Sequence, residues 1–137
     1  MTYRYLPHTA DIRVAIDSPT LEDLFGEAVI LARHLFVGES DVVPDEHQPL
    51  TLAASDVEEL LLAFLQELLY RYVTDGFIST SVAIEGVTPT GLMGRLAGAR
   101  LDPSRHVAEP EIKAVTRHGL VVRQTDDGWH AEVLFDV

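Results

Sequence analysis

Hydrophobic positions recur along this chain with two periods, and the period changes where Gly, Pro, Asp and Ser cluster. Ile12, Val14 and Ile16 alternate with Arg13, Ala15 and Asp17, the period of a half-buried strand. Residues 3–6 read as an extended segment just before it. Asp17, Ser18 and Pro19 form a turn signal. A helix then begins either with Ser18 as cap and Pro19 at the first helical position, or with Thr20 capping toward Asp23. In both cases Leu21, Leu24, Phe25, Ala28 and Val29 share one face, and the helix should run to about Leu35. Residues 38–49 are acidic and carry Pro44 and Pro49, which predicts a loop before a short strand over 50–53. The next helix has the clearest pattern: Ser55 followed by Glu58 is a capping box, with Asp56, Glu58 and Glu59 at the positive helix end. Leu60, Leu61, Phe64, Leu65, Leu68, Leu69 and Tyr72 make a broad apolar stripe that a helix needs in order to dock. Asp75 and Gly76 end it.

Beyond Gly76 the period is that of strands, at 78–85, 92–101, 112–116, 120–124 and 129–135. Asp126, Asp127 and Gly128 separate the last two as a hairpin signal, since an Asp-Gly pair tolerates positive φ. Asp102-Pro103 and Glu109-Pro110 bracket a loop holding Arg105 and His106. Two early helices and a strand-rich second half predict an α+β fold: one domain over 1–137, both helices packed on one face of a largely antiparallel or mixed β-sheet.

Charge narrows the function classes. The formal charge is −12, from 22 acidic against 10 basic residues, and Lys113 is the only lysine. Polyanion binding relies on clustered Lys and Arg and on counterion release, so any RNA role is expected to run through a protein partner. The absence of cysteine excludes disulfides, thiolate metal sites and a cysteine nucleophile. No apolar run approaches the ~20 residues of a membrane span, and the start of the chain lacks a secretory pattern, so a cytoplasmic protein is expected.

Few residues carry candidate chemistry. His8 and Asp11 stand three apart at the entry to the first long strand, and Asp136 and Val137 close the last one. Were those two strand ends neighbours, two carboxylates and main-chain oxygens would converge into a hard-oxygen cation site. His106 and His118 flank a stretch containing Glu111 and Lys113, but no Ser or Cys nucleophile motif accompanies them. Gly91, Gly94 and Gly98 lie among strand-like residues and lack the strand-to-helix setting of a phosphate loop. A small metal-dependent phosphohydrolase centred on His8, Asp11 and His118 stays open as an alternative, as does a structural adaptor whose cation pins the C-terminus.

Several blocks, in order, resemble the archease family: His8, Thr9, Ala10, Asp11 and Ile12; the acidic cap and leucines Asp56, Glu59, Leu60 and Leu61; Glu67, Leu68, Leu69 and Tyr70; Glu111 to Thr116 with His118; and Trp129 to Val137. Phe64, Gln66 and Arg117 stand where that family commonly has Trp, Asn and Tyr. The resemblance implies a non-enzymatic, chaperone-like accessory protein. Its partner would be a GTP-dependent RNA-splicing ligase that joins 2′,3′-cyclic-phosphate or 3′-phosphate ends to 5′-hydroxyl ends, as in tRNA splicing. The accessory protein would promote guanylylation of the ligase and so multiple turnover. It further implies a divalent cation, calcium first and magnesium or manganese as alternatives, held by Asp11, Asp136 and a main-chain oxygen of Val137.

Overall fold

A computed structural model of the chain describes residues 2–6, 11–106 and 112–137. Strands β1 (Thr2–Leu6) and β2 (Ile12–Ser18) lead into helix α1 (Leu21–Val37). They are followed by β3 (Glu46–Ala53), helix α2 (Val57–Asp75), β4 (Phe77–Thr88), β5 (Gly91–Arg100), β6 (Ala114–Thr125) and β7 (Gly128–Asp136). Thr20 starts α1: its hydroxyl accepts from the Asp23 amide at 3.0 Å, while the Ser18 hydroxyl donates to the Thr20 carbonyl at 2.9 Å. Asp56, not Ser55, caps α2, accepting from the Glu59 amide at 2.8 Å. The cap therefore falls one residue later than expected, because a carboxylate is the stronger acceptor for the exposed helix amides. Glu58 has no capping role, and the Glu59 carboxylate instead holds Arg117 at 2.6 and 2.7 Å. Gly76 ends α2, its amide donating to the carbonyls of Arg71 and Tyr72.

The α+β class holds, but the single expected sheet is two. One has the order β1-β2-β7-β6, the other β3-β5-β4, and every pairing is antiparallel. The helices explain the division. Buried positions on α1 include Leu24, Phe25, Ala28, Val29, Leu31, Ala32, Leu35 and Phe36, an arc wider than one sheet face can cover. Each helix touches both sheets: α1 lies on β4 and β2, and α2 on β6 and β4. Phe25 and Phe64, both fully buried, meet edge to face between the helices with centroids 5.0 Å apart. One hydrophobic cluster takes residues from both helices and both sheets.

Irregular strands account for the other departures. The segments expected at 112–116 and 120–124 belong to one strand, β6, whose register against β7 breaks between Thr116 and Val121. Four residues, 117–120, are looped out opposite the β7 position of Val133, and Arg117 and His118 are exposed there. The β6–β7 hairpin forms where expected, but positive φ falls on Gly128 (140°) and not on Asp127. A Cβ at Gly128 would lie 2.1 Å from the Ser18 carbonyl oxygen, so the hairpin end packs against the turn into α1. Gly94 and Gly98 sit opposite the two register shifts of β4, at Ile84/Gly86 and Ser79/Ser81. A Cβ there would meet the carbonyl oxygens of Ala83 at 2.5 Å and Ile78 at 2.1 Å, so these glycines serve close backbone approach.

Candidate functional site

The register of β2 against β7 decides where the sequence candidates fall. Ile12 pairs with Phe135, which brings Asp11, the residue before it, to Asp136, the residue after. Alternation along the strands places Asp136 on the sheet face of Glu132 and His130, the face opposite to Val133 and Phe135 in the core. On its other side Asp136 pairs with Ala114, and its carbonyl oxygen accepts the Lys113 amide at 2.8 Å. Val137 follows, 40 % exposed. Two carboxylates and main-chain oxygens near one strand end are donors of the type a hard cation such as calcium takes. Among the described residues no group of three or more His, Asp or Glu side chains gathers as a metal cluster, so any cation there would retain water ligands.

The histidines divide. His8, with the residues around it, and Glu111 lie outside the described residues. His106 is buried, and its Nδ1 accepts the Asp102 amide at 3.0 Å, which closes the turn around Asp102. His118 is exposed in the β6 irregularity. His106 thus braces a turn, and His118 sits on an exposed loop.

A group that sequence reasoning passed over lies farther along the same sheet face. His130, 8 % exposed, donates from Nδ1 to Asp17 at 2.6 Å and from Nε2 to Glu132 at 2.9 Å. Ionised carboxylates only accept, so both contacts require the doubly protonated imidazolium. Arg4 reaches the other oxygen of Asp17 at 2.5 Å, and Arg13 the other oxygen of Glu132 at 2.5 Å. The hydrogen bonds to Glu132 and then to Asp17 raise the His130 pKa, against the opposing effects of burial and of Arg123. Burial would raise Asp17, but His130 and Arg4 outweigh it and the net shift is downward; His130 and Arg13 likewise lower Glu132. This chain of five charges ties β1, β2 and β7 together and borders an open cavity of about 490 Å³ lined by Asp17, Arg123, Thr125, Asp127, Trp129 and His130. The only local signal for it was the polar alternation of Arg13 with Asp17 and of His130 with Glu132, because the pairing joins residues more than a hundred positions apart.

With this arrangement in place, the chain can be set beside known proteins. Residues 3–137 match the model of the Archease protein family (MTH1598/TM1083). The chain belongs to the archease family. Relatives named Protein archease include that of Archaeoglobus fulgidus, 33% identical over 139 residues covering 100% of both chains. Those of Methanosarcina acetivorans, 31% identical over 98% of this chain and 95% of the relative, and Pyrococcus furiosus, 31% identical over 98% of both, are also similar. The solution structure of Methanobacterium thermoautotrophicum protein 1598 superposes with a TM-score of 0.80 at 25% identity, covering 98% of each chain. A crystal structure of an archease from Thermotoga maritima, described as a possible chaperone, superposes with a TM-score of 0.64 at 23% identity over 96% of this chain and 94% of that one, and bears on the fold alone. The archease fold is thus shared across nearly the whole length of this chain.

Proposed function

We propose that this chain is a cytoplasmic, non-enzymatic accessory protein that activates a GTP-dependent RNA-splicing ligase, promoting its guanylylation and multiple turnover and so serving tRNA splicing. The observation that carries the reading is archease family membership over residues 3–137. A charge of −12 with one lysine fits an assistant that reaches RNA only through its ligase.

In this reading Asp11 and Asp136 supply carboxylates, and Val137 a main-chain oxygen, to a divalent cation, calcium first and magnesium or manganese as alternatives. Such a cation, when bound, adds positive charge at an exposed edge of an acidic protein, beside whatever anionic group the partner presents. The part given to the protein's own residues is to hold that edge in place: the β2–β7 pairing ends at Ile12 and Phe135, next to the two aspartates, and the Asp136 carbonyl accepts the Lys113 amide.

The test is a turnover assay with ligase limiting, in the presence of GTP and RNA carrying 3′-phosphate and 5′-hydroxyl ends. Adding the chain should convert about one round of joining into many, and Asp11→Ala or Asp136→Ala should abolish the effect while the protein stays folded. A cognate ligase that turns over no faster with the folded chain present refutes the accessory role.

A further inference from the structure

Away from the strand end described above, α2 presents an outward stripe that does not look like a solvated helix face. Gln66, Tyr70 and Val73 recur at helical spacing and all are exposed, Tyr70 at 62 % and Val73 at 64 %. The other large apolar side chains of α2, among them Leu60, Leu61, Phe64, Leu65 and Leu68, are buried in the core. Leu69 of α2 and Lys113, Ala114 and Val115 at the start of β6 complete a groove of about 320 Å³ beside the stripe. Gln66 bridges its floor, the side-chain amide donating to the Val115 carbonyl at 3.4 Å. The groove runs along the outer side of β6, an edge strand of its sheet.

Charge makes this window distinctive. In a protein of net charge −12, none of the groove's side chains is acidic, and the nearby carboxylate of Glu67 is spent on Arg71 at 2.6 Å. The one charged residue lining the groove is Lys113, the chain's only lysine, and it is exposed. An apolar patch with a single cationic rim suits a segment that offers an apolar anchor next to a carboxylate. The groove is also continuous with the candidate cation site: the Lys113 amide donates to the Asp136 carbonyl, and Ala114 pairs with Asp136. A partner seated here is therefore held directly against Asp136.

We infer that the groove between α2 and the start of β6 is a docking site for the ligase, filled by a ligase segment carrying an aliphatic or aromatic side chain beside an acidic one. This rests on the accessory role proposed above. Tyr70 and Val73 supply the apolar contact, and Lys113 pairs with the acidic group and fixes the direction of the segment.

The experiment is a binding titration of fluorescently labelled chain with purified cognate ligase, read by anisotropy alongside the turnover assay. Val73→Asp, at an exposed position, should leave the circular dichroism melt unchanged and weaken binding by at least about tenfold. Lys113→Glu should weaken it as well and reduce its dependence on salt. Met93→Asp, equally exposed but on β5 of the other sheet, should stay within about twofold of the wild type. If the wild type binds and activates but folded Val73→Asp does so equally well, the groove is not the docking site and the accessory role stands. If the wild type neither binds nor activates, the accessory role has failed and the docking site with it. A concentration-dependent dimer in sedimentation that Val73→Asp abolishes would assign the groove to a second copy of this chain and overturn the inference.

Discussion

Replacing His130 by Gln is the most direct test of the charge network on the first sheet. The ring is buried and bonded at both nitrogens, at 2.6 and 2.9 Å, so both contacts exist only while it is protonated. A charged hydrogen bond contributes about 1.5 to 3 kcal/mol when shielded from water. The Glu132 partner is 24% exposed and supports a value near the lower end, about 1.5 kcal/mol; Asp17 is 43% exposed, and screening reduces its bond to about 0.5 to 1 kcal/mol. Loss of about 2 kcal/mol is expected near pH 6, a drop in Tm of roughly 6 to 10 °C for a chain of this size. The sign with pH follows from the raised pKa of His130. A raised value means the contribution is complete below the unfolded histidine value of about 6.5 and disappears as pH rises through the higher folded value. Asp17 and Glu132 are shifted the other way, so their share is present above the unfolded carboxylate range near 4 and is lost as pH falls below it. Urea unfolding followed by far-UV circular dichroism should therefore show the largest gap between wild type and variant at about pH 5 to 6.5 and a narrowing gap toward pH 9. The ring protons should titrate above the midpoint of a free histidine. A gap that stays constant from pH 5.5 to 9, or a midpoint at or below the free value, refutes the imidazolium bridge.

Three further outcomes test other parts of the structure. Calcium at about 10 mM, acting on a site of millimolar affinity with few protein ligands, should stabilise the chain by about 1.4 kcal/mol, roughly 3 to 6 °C in Tm, and Asp136→Asn should remove that response. Gly98→Ala places a Cβ 2.1 Å from the Ile78 carbonyl oxygen and 2.8 Å from the Phe77 ring; a backbone clash cannot be relieved by a rotamer change, so about 3 kcal/mol should be lost in denaturant titrations. Gly26→Ala, on α1 with nothing within 4 Å of the new Cβ, should gain about 0.5 to 1 kcal/mol in the same titration.

What could be read from the sequence follows the range of the interactions involved. The apolar stripe of α2 and its stop at Gly76 are set by residues a few positions apart, so periodicity and end signals located the helix to within about two residues. The choice between Ser55 and Asp56 as cap turned on which of two adjacent acceptors starts the helix, and Arg117, 58 positions away, decided what Glu59 does. The division into two sheets was not legible, because alternation shows that a strand has a buried face but not which strand lies beside it. The irregularity at 117–120 escaped for the same reason: its polar residues read as a gap between two strands when they are a bulge within one. Asp11 and Asp136 were singled out as carboxylates at strand ends, and only the pairing of Ile12 with Phe135 brings them together. His130 was missed because nothing next to it in sequence marks a residue whose partner Asp17 is 113 positions away.

The two ends of the β2–β7 pair can be compared as one physical system. At one end Asp17 stands opposite His130 in register, and an opposed carboxylate and imidazolium attract. About 20 Å along the same two strands, the register ends at Ile12 and Phe135, which leaves Asp11 and Asp136 as the next residues of the two segments, and like charges brought together at a strand end destabilise a sheet. Between them Arg13 and Glu132, diagonal neighbours whose direct cross-strand partners are Leu134 and Ala15, close a further ion pair, so the charged contacts that join β2 and β7 along this face are attractive. In the accessory reading a divalent cation takes at the aspartate end the part that His130 takes at the other end. The two substitutions then separate cleanly: His130→Gln should cost stability in the absence of any cation, whereas Asp136→Asn should remove the response to calcium and leave the cation-free protein no less stable.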